Sequence, residues 1–145
     1  MFVVKLIEYE SWEYQQACKL RYRLFYADRN LSRLDVFSSE EKNYYHLAIA
    51  IEDLIVAYGQ LVSQTNSIYL IKQMVVEPNY QKQNLGTQIV LKAIALAQEQ
   101  GATKIVLNSR LSAVGFYQKL GFYTCGVKFP SPTTGIFHIS MKKNI

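Results

Sequence analysis

Tyr69 to Gln100 reads YLIKQMVVEPNYQKQNLGTQIVLKAIALAQEQ, and this stretch joins a strand, a short polar loop and a long helix in that order. Tyr69 to Glu77 is rich in β-branched and aromatic residues, and Pro78 stops it as it would stop a strand. Asn79 to Asn84 is a polar turn. From Gly86 onward, Ile89, Val90, Ala93, Ile94, Leu96 and Ala97 recur at helical spacing, with Gln88, Lys92, Gln98 and Glu99 on the other side. Gly101 ends the helix.

A strand that runs through a tight loop into a helix leaves several backbone N–H groups without partners, with the positive end of the helix dipole behind them. Such a place binds anions. The side chains agree, since Gly86 lets a ligand approach the backbone, Thr87 adds a hydroxyl and Lys82 adds a positive charge. The turn therefore reads as a phosphate-binding loop. It is neither a nucleoside-triphosphate loop nor a dinucleotide fingerprint, because both glycine spacings are absent.

At 145 residues the chain is expected to form one domain over 1–145, large enough for a real core. Half of it is hydrophobic and 19% is charged, as in an ordinary globular protein. No apolar run approaches the ~18 residues of a membrane span. Phe2 to Ile7 is too short for a secretory leader, so a cytoplasmic location with no membrane partner is expected. The net charge is +5, but the 16 basic residues are scattered and form no nucleic-acid patch. Cys18 and Cys125 read as reduced thiols in or near the core. No metal-ligand spacing, nucleophile elbow or paired Cys-x-x-Cys occurs.

The rest of the chain supplies the frame. Phe2 to Glu8 reads as a first strand, and Ser11 caps a helix that runs to about Asp28 with Tyr14, Ala17, Leu20 or Arg21, Leu24 and Phe25 on one face. Asp28 to Asn43 reads as a loop with at most a short helix. Tyr44 to Ile51, Leu54 to Ser63 and Ile68 to Glu77 form an antiparallel meander. The third of these strands feeds the anion loop, the long helix and a strand from Lys104 to Asn108, a crossover that implies a parallel pair. Leu111 to Leu120 is a short helix, and Phe122 to Val127 and Ile136 to Lys142 are closing strands. The class is α/β (α+β), with a mixed, mostly antiparallel sheet of about seven strands flanked by helices.

Gln81-Lys82-Gln83-Asn84-Leu85-Gly86 resembles the pyrophosphate loop of the GCN5-related N-acetyltransferase (GNAT) family, whose pattern is Gln/Arg-x-x-Gly-x-Gly/Ala. Asn84 stands where the family usually has glycine, and asparagine is the residue that best tolerates a left-handed backbone there. Downstream, Asn108, Ala113, Phe116-Tyr117 and Gly121-Phe122 stand at the family's spacing. Gly135-Ile136-x-His138-x-x-Met141, with Leu20-Arg21 and Phe25, is similar to the ElaA-like subgroup.

The resemblance implies the GNAT acyl-CoA N-acyltransferase fold, with a splay between strands 4 and 5. It implies acetyl-CoA as acyl donor, a primary amine of a small molecule or peptide as acceptor, and transfer by direct attack of the amine on the thioester in a ternary complex. Met74, Val75 and Val76 would pair with the pantetheine arm, and Gln81, Lys82, Gln83, Asn84, Leu85, Gly86 and Thr87 would hold the pyrophosphate. Asn108, Phe116 and Lys119 would complete the donor site, and Tyr117 would be the general acid. Phe25, Glu77 and His138 are acceptor-side candidates, and the segment Asp28 to Asn43 would form part of the acceptor site. Glu77, His46 and His138 carry the right chemistry for a base, and none is singled out. An acyl-CoA-binding module without turnover is the alternative. Exposed strands in such folds often pair, which makes a homodimer one expected state.

Overall fold

The structure is a computed structural model that describes residues 2–32 and 37–145. Seven strands form one sheet: β1 (Val4–Ile7), β2 (Tyr45–Ile51), β3 (Leu54–Ser63), β4 (Ile68–Val76), β5 (Lys104–Arg110), β6 (Tyr123–Pro130) and β7 (Phe137–Asn144). Their order is β1-β2-β3-β4-β5-β7-β6, and among the described residues only the β4–β5 pair is parallel. Among the described residues the α-helices are α1 (Trp12–Phe25), α2 (Leu85–Glu99) and α3 (Val114–Lys119). The meander and the crossover are as the hydrophobic patterns indicate. The ends differ by a few residues. The first helix stops at Phe25 and 3-10 turns at Ala27–Arg29 and Ser39–Asn43 follow, while β6 runs on to Pro130, past the expected end at Val127.

In β2, Leu47 and Ile49 join the core cluster under α2, while Ala48 between them joins the cluster under α1. Strand side chains alternate between faces, so the two helices cover opposite faces of the sheet. Ile89, Val90 and Ala97 of α2 are fully or almost fully buried, each aliphatic one contributing about 1.5–3 kcal/mol. The helix ends as its glycine predicts: the Gly101 N–H bonds to Gln98 O and the Ala102 N–H to Ala97 O, with Gly101 at φ 89. At the start of α1 the Ser11 hydroxyl accepts from the Tyr14 N–H at 3.2 Å.

The α1 face also buries a polar network. Arg21 forks onto the Glu41 carboxylate at 2.9 and 2.6 Å, and Tyr14 Oη donates to the same carboxylate at 2.5 Å. His46 lies beside it, with Nε2 against Glu41 O at 2.7 Å and Nδ1 against Tyr58 Oη at 2.6 Å. A carbonyl only accepts, so Nε2 carries the proton and Nδ1 accepts from tyrosine. Burial holds the His46 pKa below its ordinary value. Its stabilising contribution is therefore complete above the unfolded value near ~6.5 and is lost as pH falls toward the folded one. Glu41 acts in the same direction lower down, since burial alone would raise its pKa but Arg21 and Tyr14 hold it low. Unfolding free energy should decline below about pH 6.5 by up to about 1.4 kcal/mol per pH unit. His46→Gln should flatten the upper part of that decline in urea titrations. A variant with the wild-type slope would contradict the assignment.

Candidate active site

The parallel pairing of β4 and β5 covers only Ile68 to Ile71 against Lys104 to Leu107. Beyond it the two strands separate, so the β5-facing backbone of 72–76 has no strand partner. On the other side of β4, Tyr58 and Gln60 of β3 face Val75 and Lys72, leaving Gln73 and Met74 opposite Gly59 alone. This is a β-bulge, and Gln73 takes the left-handed backbone it requires, with φ 58. Gly59 is needed because a Cβ there would lie 2.5 Å from Met74 Sδ and 2.9 Å from Ile89 Cγ2. The bulge twists the end of β4 away from its neighbour and opens the sheet.

A cavity of about 390 Å³ sits in the opening. Phe25, from the α1 side, and Tyr117, from the α2 side, both line it, so it passes through the sheet. Met74, Asn108 and His138 line it as well. Tyr26, Lys72, Gln73 and Arg110 also line it, and none of them is among the residues the sequence points to.

The anion loop follows β4 directly. Asn84 sits at φ 65 and Lys82 at φ 66, and Asn84 places no side-chain cap on α2. The Gln88 N–H bonds to Asn84 O, whereas among the described residues the N–H groups of Lys82 to Thr87 donate to no protein acceptor. Two strained backbone positions thus aim one turn's worth of amides outward. The Gln81 side chain bonds to Val76 O at 3.2 Å and ties the loop to the strand end. A Cβ on Gly86 would stand 3.3 Å from Phe116 Cζ and 3.8 Å from Val76 Cγ2, which puts loop, strand end and α3 in contact.

Tyr117 is buried, and burial pushes its pKa up to about 12. Its ring packs edge-on against Phe116 and Phe122 at 4.9 and 5.8 Å, while its hydroxyl has no hydrogen-bond partner among the described residues. Asn108 Oδ1 accepts from Ser140 Oγ at 2.9 Å. His138 Nδ1 lies 2.8 Å from Ile136 O, so Nδ1 carries a proton and the lone pair of the neutral ring is on Nε2. The ring stacks on Phe129 at 6.3 Å. Glu77 lies outside the cavity lining and pairs with Arg23. Val75 is buried and packs under α1, and Lys119 is exposed on α3.

Within the segment Asp28 to Asn43, which the resemblance assigns in part to the acceptor site, Glu41 is buried against Arg21 and is not among the residues that line this cavity. Residues 33–36 of that segment lie outside the described residues.

The site is therefore a sheet split between two parallel strands, with the uncapped start of α2 at the end of the split. The family model of the acetyltransferase (GNAT) domain matches residues 13–145, and the chain belongs to that family of N-acetyltransferases. Bacillus subtilis (strain 168) YyaT is 28% identical over 145 residues, covering 98% of this chain and 95% of YyaT. The crystal structure of Escherichia coli ElaA shares the fold with a TM-score of 0.81 and 18% identity, covering 99% of both chains. An aminoglycoside 6'-N-acetyltransferase complexed with coenzyme A shares it with a TM-score of 0.73 and 16% identity, covering 98% of this chain and 96% of that one. Among the described residues, no helix is long and apolar enough to cross a membrane.

Proposed function

We propose that this acyltransferase moves an acetyl group from acetyl-CoA to the primary amine of a small molecule, by direct attack within a ternary complex. The observation that carries the reading is the continuity of three features: the opened edge of β4, the uncapped amides of 82–87 and the cavity that reaches through the sheet. Their spacing along one chain segment suits an extended donor with a diphosphate at one end and a reactive thioester at the other. The fit also rests on charge, since the loop supplies amides, the α2 dipole and Lys82 to an anion.

In this reading Gln81 to Thr87 hold the diphosphate, with Phe116 beside Gly86, and Lys119 lies toward the adenosine end. The backbone from Met74 to Val76 receives the pantetheine arm. Acetyl-CoA supplies the activated carbonyl. The backbone at the bulge, fixed before binding by Gln73 and Gly59, donates toward the oxygen as charge develops. His138 Nε2 takes a proton from the acceptor nitrogen, which frees or keeps the lone pair that forms the C–N bond as the C–S bond breaks, and Tyr117 donates a hydrogen bond to the departing sulfur. Asn108, held by Ser140, orders the carbonyl side. Phe25 shapes the acceptor mouth. Glu77 positions α1 through Arg23 and is not needed as the base.

The test combines calorimetry with acetyl-CoA and thiol release over an amine panel. Binding with release from at least one amine is the expected result, and binding with no release from any amine favours a module without turnover. Gly86→Trp should abolish acetyl-CoA binding, because the indole displaces Phe116 and covers the amides. Circular dichroism should show it folded, and Gly86→Ala should bind more weakly than wild type. A folded Gly86→Trp that binds normally would remove the loop from the donor site.

A further inference from the structure

The charges around the cavity are one-sided. Lys72 and Arg110 line it, and no aspartate or glutamate appears in the lining among the described residues. Each cation lies over an aromatic ring, Lys72 Nζ at 5.5 Å from Tyr44 and Arg110 Cζ at 5.1 Å from Phe25. The ion pairs among the described residues use Lys5, Arg21 and Arg23, and none uses Lys72 or Arg110. Arg110 and His138 are cross-strand partners in β5 and β7, which sets the guanidinium on the same face as the imidazole.

A free alkyl amine is itself a cation at neutral pH, and a second or third cation at the mouth repels it. Polyamines suffer most. An acceptor that carries an anionic group of its own reverses the sign, because that group pairs with the guanidinium while the amine points to the thioester. The cavity is also near the lower end of the ~300–1,000 Å³ range of ligand sites, and the acyl end of the donor must share it. Large acceptors do not fit inside.

We propose that the acceptor is a small amine bearing a phosphate or carboxylate, and that Arg110, with Lys72, binds that anionic group on the α1 side of the cavity. This rests on the reading that acetyl group and acceptor meet in the splay.

The test measures thiol release from saturating acetyl-CoA with O-phosphoethanolamine, β-alanine, ethanolamine and putrescine, together with calorimetry of each amine. The anionic amines should exceed ethanolamine in kcat/KM by about tenfold to a hundredfold, and putrescine should be poorest. The ratio of O-phosphoethanolamine to β-alanine separates phosphate from carboxylate. Arg110→Gln and Lys72→Gln should raise KM for the anionic amines and shrink the preference, with KM for acetyl-CoA unmoved. Anionic amines that bind preferentially without being acetylated would leave the anion site standing and count against the transfer reaction. Ethanolamine or putrescine matching the anionic amines in both binding and turnover would overturn the proposal. So would an Arg110→Gln variant that loses affinity for acetyl-CoA instead, since the cation would then belong to the donor.

Discussion

Glu41→Ala is expected to cost about 3–5 kcal/mol of stability, the usual penalty for leaving one member of a buried ion pair without the other. Arg21 is 1% exposed and Glu41 is 6% exposed, so neither can turn to water without moving the chain. The guanidinium lies over Phe37 at 4.3 Å and Tyr58 at 5.2 Å, surroundings that solvate a charge poorly. Tyr14 loses its acceptor in the same variant. Against a typical total of about 5–15 kcal/mol, the loss is large enough to lower the fraction folded in cells. Urea unfolding measures it directly, and a loss under about 1 kcal/mol would mean the pair is not insulated from solvent. Replacing both partners with apolar residues of similar volume should recover part of the stability.

The same pair reaches the active-site opening. Arg21 Nε donates to Gln73 Oε1 at 3.0 Å, and Gln73 Nε2 donates to Tyr26 Oη at 3.3 Å. Gln73 is the left-handed residue of the bulge. A buried charge pair under α1 therefore braces the strained residue that turns the β4 backbone into the cavity. Loss of Glu41 should lower turnover in the fraction that remains folded, and Gln73→Ala should do the same with a smaller stability cost.

Tyr117→Phe is expected to lower kcat by about 10²-fold or more, within the range for removal of a positioned proton donor. With its pKa pushed up to about 12, the hydroxyl stays protonated at neutral pH. Against a thiol near ~8.5, full proton transfer runs uphill. The oxygen therefore contributes a hydrogen bond to the sulfur as the C–S bond breaks, and only late release of the proton. Acetyl-CoA affinity should hardly change, because the ring keeps its contacts with Phe116 and Phe122. Stopped-flow thiol release with calorimetry separates the two effects. Unchanged kcat would take Tyr117 out of the proton route.

The elements are legible in sequence wherever one face of a strand or helix is buried. The three meander strands and α2 announce themselves by period, and the loop by Gly86 with Asn84 beside it. The bulge is not legible in the same way, because it depends on register between β3 and β4, a relation between two strands. Its one local trace is Gly59, a glycine inside an apolar strand. Arg21 is obscured differently. In sequence it stands only as the alternative to Leu20 on the inner face of the first helix, because spacing does not tell which of the two adjacent residues is buried, and its partner Glu41 lies in a stretch that reads as a loop with at most a short helix. Lys72 stands next to Gln73 and Arg110 next to Ser109, so in sequence each reads as part of a polar pair in or beside a strand. Only the splay makes both part of a cavity wall.

The central claim is that the amides of the turn before α2 and the opened edge of β4 hold the donor together. Titrating acetyl-CoA into ¹⁵N-labelled protein and following backbone amide resonances and their exchange tests it residue by residue. The expected result is coordinated shifts and slowed exchange at Gln83 to Thr87 and Met74 to Val76, saturating at one acetyl-CoA per chain. Saturable binding that leaves both sets unmoved and perturbs another surface would contradict the account.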